Sequence, residues 1–294
     1  MRDKILGVNI DFNYTIESAA EQIIIWVKEK KSGIISTTNP YFVISALSDK
    51  EFLEIVNNSL LSLPDGVGIL YARYYLNKIK KLNKNKVLFP IHAFLIGILC
   101  SVQSFFDKKF GVPVPGVELV YKVCELASSK DVNVFLLGGQ SRGLRGGLKC
   151  DDEYNMAKDA ASKLKILYPE LKIIGATSEF SREVYDDEKT IKYIKNSMFS
   201  NNVNHIDILL VAYNPINQEK WIQRNANKIP ATISIGVGRT FDYITDIMRP
   251  PNKHYEKLHL AWLYALIKQP WRIKRVFKTI IIFPIKIYLA SIYK

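Results

Sequence analysis

The chain has 294 residues but only three cysteines, Cys100, Cys124 and Cys150, and none sits in a C-x-x-C pair. An odd, scattered set excludes a disulfide scaffold and a thiolate zinc site, and it suits a reducing compartment. Histidine is also sparse. His92, His205, His254 and His259 lie far apart, with no H-x-x-E-H run, and no Asp-x-Asp pair stands ready for a nucleotide-bound metal. No metal and no cofactor are expected. The glycine fingerprint of dinucleotide folds is missing, as is any internal repeat. Met1 to Asp11 contains no apolar signal-peptide core, so a cytoplasmic location is expected.

Acidic residues are the minority charge. Asp and Glu number 28 against 41 Lys and Arg, a formal net charge of +13. Such a balance attracts polyanions: nucleic acid, anionic lipid or a phosphorylated substrate. Hydrophobic residues make up 48% and charged residues 23% of the chain, which supports a sizeable core and argues against disorder. Long apolar runs are few. Val87 to Phe106 is interrupted by Pro90, His92 and Gln103, and flanked by Lys84, Lys86, Lys108 and Lys109. A buried or surface-lying helix is the first expectation there; a membrane-dipping segment and a span stay open. Ile280 to Tyr293, interrupted by Pro284 and Lys286, falls short of the roughly 20 residues a span needs.

What is present is alternation. Ile5–Ile10 reads as a strand and Thr15–Lys31 as a helix whose apolar face serves the core or a homo-oligomer interface. Thr15 with Ser18 makes a poor capping box. Ile34–Thr38 is a strand closed by Asn39–Pro40, and helices are expected over Tyr41–Leu47, Lys50–Leu60 and Val67–Leu76. Lys78–Lys86 is a basic linker and Gly111–Glu118 a Pro/Gly loop. From Val132 onward strands and helices alternate: strand Val132–Leu137, helix Tyr154–Leu167, strand Leu171–Gly175, helix Asp187–Met198. Strand Ile206–Val211, helix Gln218–Asn225 and strand Ala231–Ile235 complete the series. That order implies an α/β fold with a mostly parallel sheet flanked by helices.

Ligand sites in such sheets lie at strand ends. Asp65, between Pro64 and Gly66, can accept a proton from an attacking sugar hydroxyl; the commoner use of this triplet is a turn. Thr37, Thr38 and Asn39 end a strand and can meet a sugar or diphosphate, while Asn39 also suits a helix cap. Gly138, Gly139 and Gln140 form a turn able to cradle phosphate, or a flexible surface loop extended by Arg142 and Arg145. Asn214, Pro215, Gln218 and Glu219 follow a strand and can grip a ribose, base or sugar. Trp221 is expected to pack, Arg239 with Asp242 to pair, and His205 to be structural.

From Lys268 to Lys294 there are seven Lys or Arg and no acid, interleaved with aromatics. A basic amphipathic C-terminal helical appendage on anionic lipid is expected. RNA binding would use similar residues, but no nucleic-acid motif of recognised spacing occurs, so no nucleic acid is expected.

Taken together, these pieces resemble the WecG/TagA/CpsF family of bacterial glycosyltransferases. The matching runs include Ser36-Thr37-Thr38-Asn39-Pro40, Pro64-Asp65-Gly66-Val67-Gly68, Phe135-Leu136-Leu137-Gly138-Gly139 and Tyr168-Pro169-Glu170-Leu171. Further along come Pro215-x-x-Gln218-Glu219-Lys220-Trp221, Gly236-Val237-Gly238-x-x-Phe241-Asp242, Arg249-Pro250-Pro251 and Gln269-Pro270-x-Arg272-x-x-Arg275. The resemblance implies an inverting, metal-independent transfer from a UDP-sugar to a polyprenyl-diphosphate-linked saccharide. It would take place at the cytoplasmic face of the inner membrane, in cell-surface polysaccharide synthesis. N-acetylmannosamine-like sugars, uronic acids and hexoses all stay open as the sugar.

The resemblance makes Asp65 the general base, with Asn39 and Thr37 beside it. Gly139, Gln218 and Glu219 fall on the nucleotide-sugar side, and Arg272 and Arg275 meet the lipid diphosphate. It divides the chain into a core over 1–248, with 82–110 as an insertion, and a membrane-associating appendage over 249–294. The chain departs from the family pattern at Tyr213, Asn217, Arg239, Thr245-Asp246, Ala261, Ala265 and Glu118. These departures leave a second reading: a non-catalytic relative that binds membrane and polysaccharide-assembly partners.

Overall fold

Parallel strands carrying apolar residues on both faces need helices on both faces, and the chain supplies them. In the computed structural model, which describes residues 2–82, 87–106, 111–139, 154–248, 266–267, 270 and 273–293, six strands form one parallel sheet. They are β3 (Gly33–Thr38), β4 (Leu61–Pro64), β5 (Asn133–Gly138), β6 (Lys172–Thr177), β7 (Ile206–Ala212) and β8 (Ala231–Gly236), in spatial order β4-β3-β8-β7-β5-β6. The expected α/β architecture is therefore the observed one.

One face of the sheet is covered by α1 (Ile16–Lys28), α6 (Gly116–Ser128), α7 (Met156–Leu167) and α10 (Thr240–Ile244), around Ile35, Leu136, Ile208, Leu210 and Ile233. The apolar face of α1 goes into this core, against α6. The other face carries α3 (Lys50–Asn57), α8 (Asp187–Ser200) and α9 (Asn217–Asn225), with Trp221 fully buried among them. A third cluster gathers α2 (Pro40–Ala46), α4 (Val67–Ile79), α5 (Phe89–Phe106) and the C-terminal helix α11 (Ile273–Tyr293).

The N-terminal segment differs from its expectation. It is not one strand but a hairpin, β1 (Arg2–Ile5) with β2 (Val8–Asp11), outside the main sheet. Leu6 (φ 50°) and Gly7 (φ 91°) turn the chain between Ile5 and Val8, the left-handed pair that a two-residue hairpin demands. Arg2 clamps Asp11 through two bonds of 2.9 and 2.7 Å, and Asp11 in turn accepts from the Ser62 amide at 2.9 Å. The hairpin is thus locked onto β4.

The Thr15 cap is better than the sequence suggests. Thr15 Oγ1 accepts from Ser18 N and Ser18 Oγ accepts from Thr15 N, a complete reciprocal box built with serine in place of the usual glutamate. The C-terminal apolar run is also longer than expected. Helix α11 covers 21 residues and, by length and composition alone, is long and apolar enough to cross a membrane. Pro284 does not stop it. A proline clashes with the carbonyl four residues back, but Lys278–Ile282 is a π turn, whose looser winding lets Phe283 N reach Lys278 O and accommodates the ring.

Removing the Asp11 carboxylate should leave the buried Ser62 amide without a partner and reduce Arg2 to its bonds with Ser59 O and Leu60 O. Asp11→Ala is expected to lower unfolding stability by about 1–3 kcal/mol, measured as a shift in the urea midpoint without a change in slope.

Candidate functional site

Asp65 is not in a loose turn. Its amide donates to Thr38 O at 2.9 Å, which continues the β3–β4 ladder one residue past the strand, and Val114 N donates to Pro64 O at 2.8 Å from the far side. Gly66 follows with φ 92°, a conformation open to glycine, and swings the chain into α4. The carboxylate is therefore presented from rigid backbone at the C-terminal edge of the sheet.

The neighbours complete a cleft of about 240 Å³. Thr37, Asn39, Asp65, Gln218, Tyr243 and Arg275 line it, together with Gly116–Val117 and Gly236–Thr240. Asn39 has two jobs there. Its Oδ1 caps α2 by accepting from Phe42 N at 3.2 Å, and its side chain stands near enough to Asp65 to favour the ionised carboxylate. An ionised carboxylate can only accept, so the Asn39 amide nitrogen is the group able to donate to it. Thr37 and Thr38 part company, as strand alternation requires. Thr37 faces the cleft, whereas Thr38 turns inward to Ser62 Oγ at 2.7 Å.

Burial raises Asp65 from the ordinary carboxylate range to about 6. The Asn39 side chain and the Arg275 charge oppose the rise, and Glu118 adds to it. Arg275 arrives from α11, its guanidinium 5.0 Å from the Tyr41 ring centre. Burial lowers its pKa, with the Asp65 charge acting against that. The expected Arg239–Asp242 pair is present at 3.2 Å.

Helix starts crowd the same edge. No side chain caps α4, α6 or α10, and Gly116–Val117 at the start of α6 and Arg239–Thr240 at the start of α10 line the cleft. Free helix N-terminal amides favour an anion, although the Thr240 amide of α10 already donates to Val237 O at 3.0 Å. The sequence pointed to Asp65, Asn39, Thr37 and Gln218, and the fold brings these together. It also brings Pro115–Gly116–Val117 and Tyr243, which motif reasoning missed; the Pro/Gly loop before a helix was the available signal.

Gln218 and Glu219 are not equivalent. Gln218 Oε1 accepts from Gly238 N at 2.9 Å and its Nε2 donates to Glu219 Oε1 at 2.7 Å. Glu219 is 1% exposed and its other oxygen accepts from Ile216 N at 2.7 Å. Burial raises Glu219 to about 7. Its carboxylate is thus used inside the fold and does not line the cleft. It holds Ile216 at φ 78°, a strained position for a β-branched residue, directly after Pro215 of the cleft wall.

A larger hollow of about 750 Å³ adjoins the cleft at Gly238. Gly139, Tyr213, Asn214 and Asp242 line it, with Ser178 and Arg182 opposite. Gly138 and Gly139 both have positive φ, yet their polar groups are partly spent: Gly138 O accepts from Ser178 Oγ and Gly139 N donates to Ala212 O at 2.9 Å. Gln140 and Arg272, also candidate ligand groups, lie outside the described residues, as do Ala261, Ala265, Arg142 and Arg145. Trp221 packs as expected, and His205 bonds Thr232 Oγ1 at the opposite end of the strands. Among the described residues no group of three or more His, Cys, Asp or Glu is placed to hold a metal ion.

The Gln218 strap gives a direct test. A Cβ at Gly236 would collide with Glu219 Oε1 and Gln218 Nε2. Gly236→Ala is expected to cost about 1–3 kcal/mol in chemical unfolding through overpacking, and to lower ligand affinity at the cleft by displacing Gln218 from Gly238.

Comparison with known proteins gives the family. The model of the glycosyl transferase WecG/TagA/CpsF family matches residues 4–88 and 97–294. A relative from Bacillus subtilis (strain 168), an N-acetylglucosaminyldiphosphoundecaprenol N-acetyl-beta-D-mannosaminyltransferase, is 24% identical over 251 residues, covering 85% of this chain and 77% of its own length. A relative of the same name from Staphylococcus aureus (strain MW2) is 24% identical over 289 residues, covering 98% of this chain and 92% of its own. With the family match running through every segment that builds the cleft, from the Asp65 strand end to the Arg275 helix, the chain belongs to the WecG/TagA/CpsF family of glycosyl transferases.

Proposed function

We propose that the protein transfers a sugar from a UDP-sugar to a polyprenyl-diphosphate-linked saccharide, with inversion and without a metal ion. The observation that carries this reading is the partly buried Asp65 carboxylate, beside Asn39 and facing Arg275 in a cleft rimmed by open helix starts. Its two relatives, named for transfer of N-acetylmannosamine to N-acetylglucosaminyldiphosphoundecaprenol, support the acceptor class. N-acetylmannosamine is the first donor sugar to try, ahead of uronic acids and hexoses.

In the proposed step the acceptor hydroxyl oxygen attacks the anomeric carbon as the bond from that carbon to the UDP oxygen breaks. The hydroxyl proton passes to Asp65, the electron pair of the broken bond leaves with UDP, and attack from the opposite side inverts the centre. Asn39 orients the carboxylate and Thr37 offers the acceptor a hydroxyl. Arg275 and the amides at the starts of α6 and α10 stabilise diphosphate charge. The nucleoside occupies the larger hollow beside Tyr213 and Asn214, reached past Gly238, while Glu219 acts through Gln218 as a positioning residue. Residues 1–248 form the catalytic core and 249–294 the appendage, at the cytoplasmic face of the inner membrane.

A raised carboxyl works as a base only once deprotonated. Transfer should rise with pH through about 6 and then level, and the acid limb should vanish with the base. Asp65→Asn is expected to lose roughly 10²–10⁴ in rate, assayed with a panel of UDP-sugars, a short-chain polyprenyl-diphosphate saccharide, and EDTA present throughout. Unfolded Asp titrates near 3.8. Above that value the folded state keeps its proton longer than the unfolded one, so stability falls as pH rises towards about 6. The Asn variant should therefore unfold at or above the wild-type temperature at pH 8. Unchanged turnover would remove Asp65 from the role of base. No product with any donor, under conditions where a family member is active, would favour the non-catalytic relative.

A further inference from the structure

Helix α5 is built the wrong way round for a water-soluble protein. Surface helices bury their large apolar residues and show polar ones. Past the buried Phe89 at its start, the inward side is mostly small: Ala93 and Cys100 are fully buried, Ile96 is partly buried, and Gly97 lies close enough to α4 that an added Cβ would sit 3.5 Å from the Tyr75 ring and 3.6 Å from Tyr71 Oη. The outward side is large and aliphatic. Ile91, Phe94, Leu95, Ile98, Leu99 and Val102 are each 48–57% exposed. Small residues inward and large apolar residues outward is the pattern of helices that pack against protein on one side and lipid on the other.

A second element extends this surface. Phe94 meets the Tyr288 ring edge-on at 5.9 Å between centres, and Tyr288 Oη donates to Pro90 O at 3.3 Å, so α11 runs beside α5. Its own outward residues, Ile273, Phe277, Ile281, Ile285 and Leu289, recur every four positions and are 37–53% exposed. Along the sequence the charge beside both helices is mostly basic, Asp107 after α5 being followed by Lys108 and Lys109. No Asp or Glu occurs from Gly66 to Phe106, nor anywhere after Glu256, whereas Lys80, Lys81, Lys84 and Lys86 precede α5. On α11, Lys274, Lys278 and Lys286 are exposed. Cations beside an uncharged aliphatic face fit an anionic bilayer, lipid headgroups meeting the lysines and acyl chains the aliphatic side chains.

The family match breaks off at residue 88 and resumes at 97, so the start of α5, residues 89–96, lies outside it and the rest of the helix within it. We propose that α5 is a lipid-inserting element, which together with α11 forms one two-helix face lying in the interfacial layer of an anionic membrane. The inference builds on the membrane-associated reading given above but does not depend on catalysis. The face would hold the protein by apolar insertion in addition to electrostatic attraction, leaving a fraction of binding that salt does not remove.

The test is co-sedimentation of the full chain with phosphatidylglycerol/phosphatidylethanolamine vesicles, at low and high salt, for wild type and Leu95→Glu/Leu99→Glu. Both residues are exposed and neither touches the cleft, so far-ultraviolet circular dichroism should not change. The double variant is expected to lose at least about tenfold in partitioning, a charge at the insertion depth being strongly opposed, and all of the salt-resistant fraction. Ile166→Glu, at an exposed apolar residue on α7, should bind as wild type. Transfer to a water-soluble short-chain acceptor should be unaltered in the double variant; absence of transfer in wild type and variant alike would count against the enzyme reading alone. Undiminished, salt-resistant vesicle binding by the double variant would overturn the proposal. So would a dimer in sedimentation velocity that the double variant dissociates while vesicle binding stays intact, since the face would then be a subunit interface.

Discussion

The structure turns on one short backbone contact, the Asp65 amide to the Thr38 carbonyl. It prolongs a parallel ladder by one residue and so transfers the stiffness of the sheet to a carboxylate outside it. Everything around the cleft is arranged relative to that point. Asn39, one residue past Thr38, reaches Asp65 because β3 and β4 are in register to their ends. Helices α2 and α4 start at these ends. Burial that raises the Asp65 pKa is tolerable because Asn39 and Arg275 partly compensate the charge.

A similar logic holds the opposite wall, with a chain of side chains in place of a ladder. Ile216 N, Glu219, Gln218 and Gly238 N are linked by three hydrogen bonds, each 2.7–2.9 Å. The strap joins the loop after β7 to the loop after β8. Its cost is visible in the strained Ile216 backbone and in a carboxyl raised to about 7 by burial. Such strain persists only where surrounding bonds over-determine it, and here Glu219 supplies them. The glutamate in the Gln-Glu pair therefore serves geometry, and the glutamine beside it serves the cleft.

Motif order within the chain made the family legible, and strand-end chemistry marked Asp65, Asn39, Thr37 and Gln218. Other features did not show in the sequence. Thr38 stands in the same short run as Thr37 and Asn39, yet strand alternation buries it. Ile5–Ile10 looked continuous because a Leu-Gly turn lacks the usual Asn or Asp, and the hairpin appears only when β2 is seen locked to β4 through Asp11. Pro284 read as an interruption of the C-terminal run, since a π turn cannot be recognised from composition.

By itself the sequence determined the class of fold, because strand-length apolar runs alternating with amphipathic helices can bury both kinds of surface only as layers. It also determined the charge of the tail. Only the tertiary structure decided which groups share a cleft: Arg275 and Asp65 stand more than two hundred positions apart, and nothing local could place a guanidinium from the last helix beside an acid after the second sheet strand. It decided, too, which way α5 faces. An uncharged apolar helix has no polar side to declare its orientation, so only packing against Tyr71 and Tyr75 shows that the small residues turn in and the large ones out.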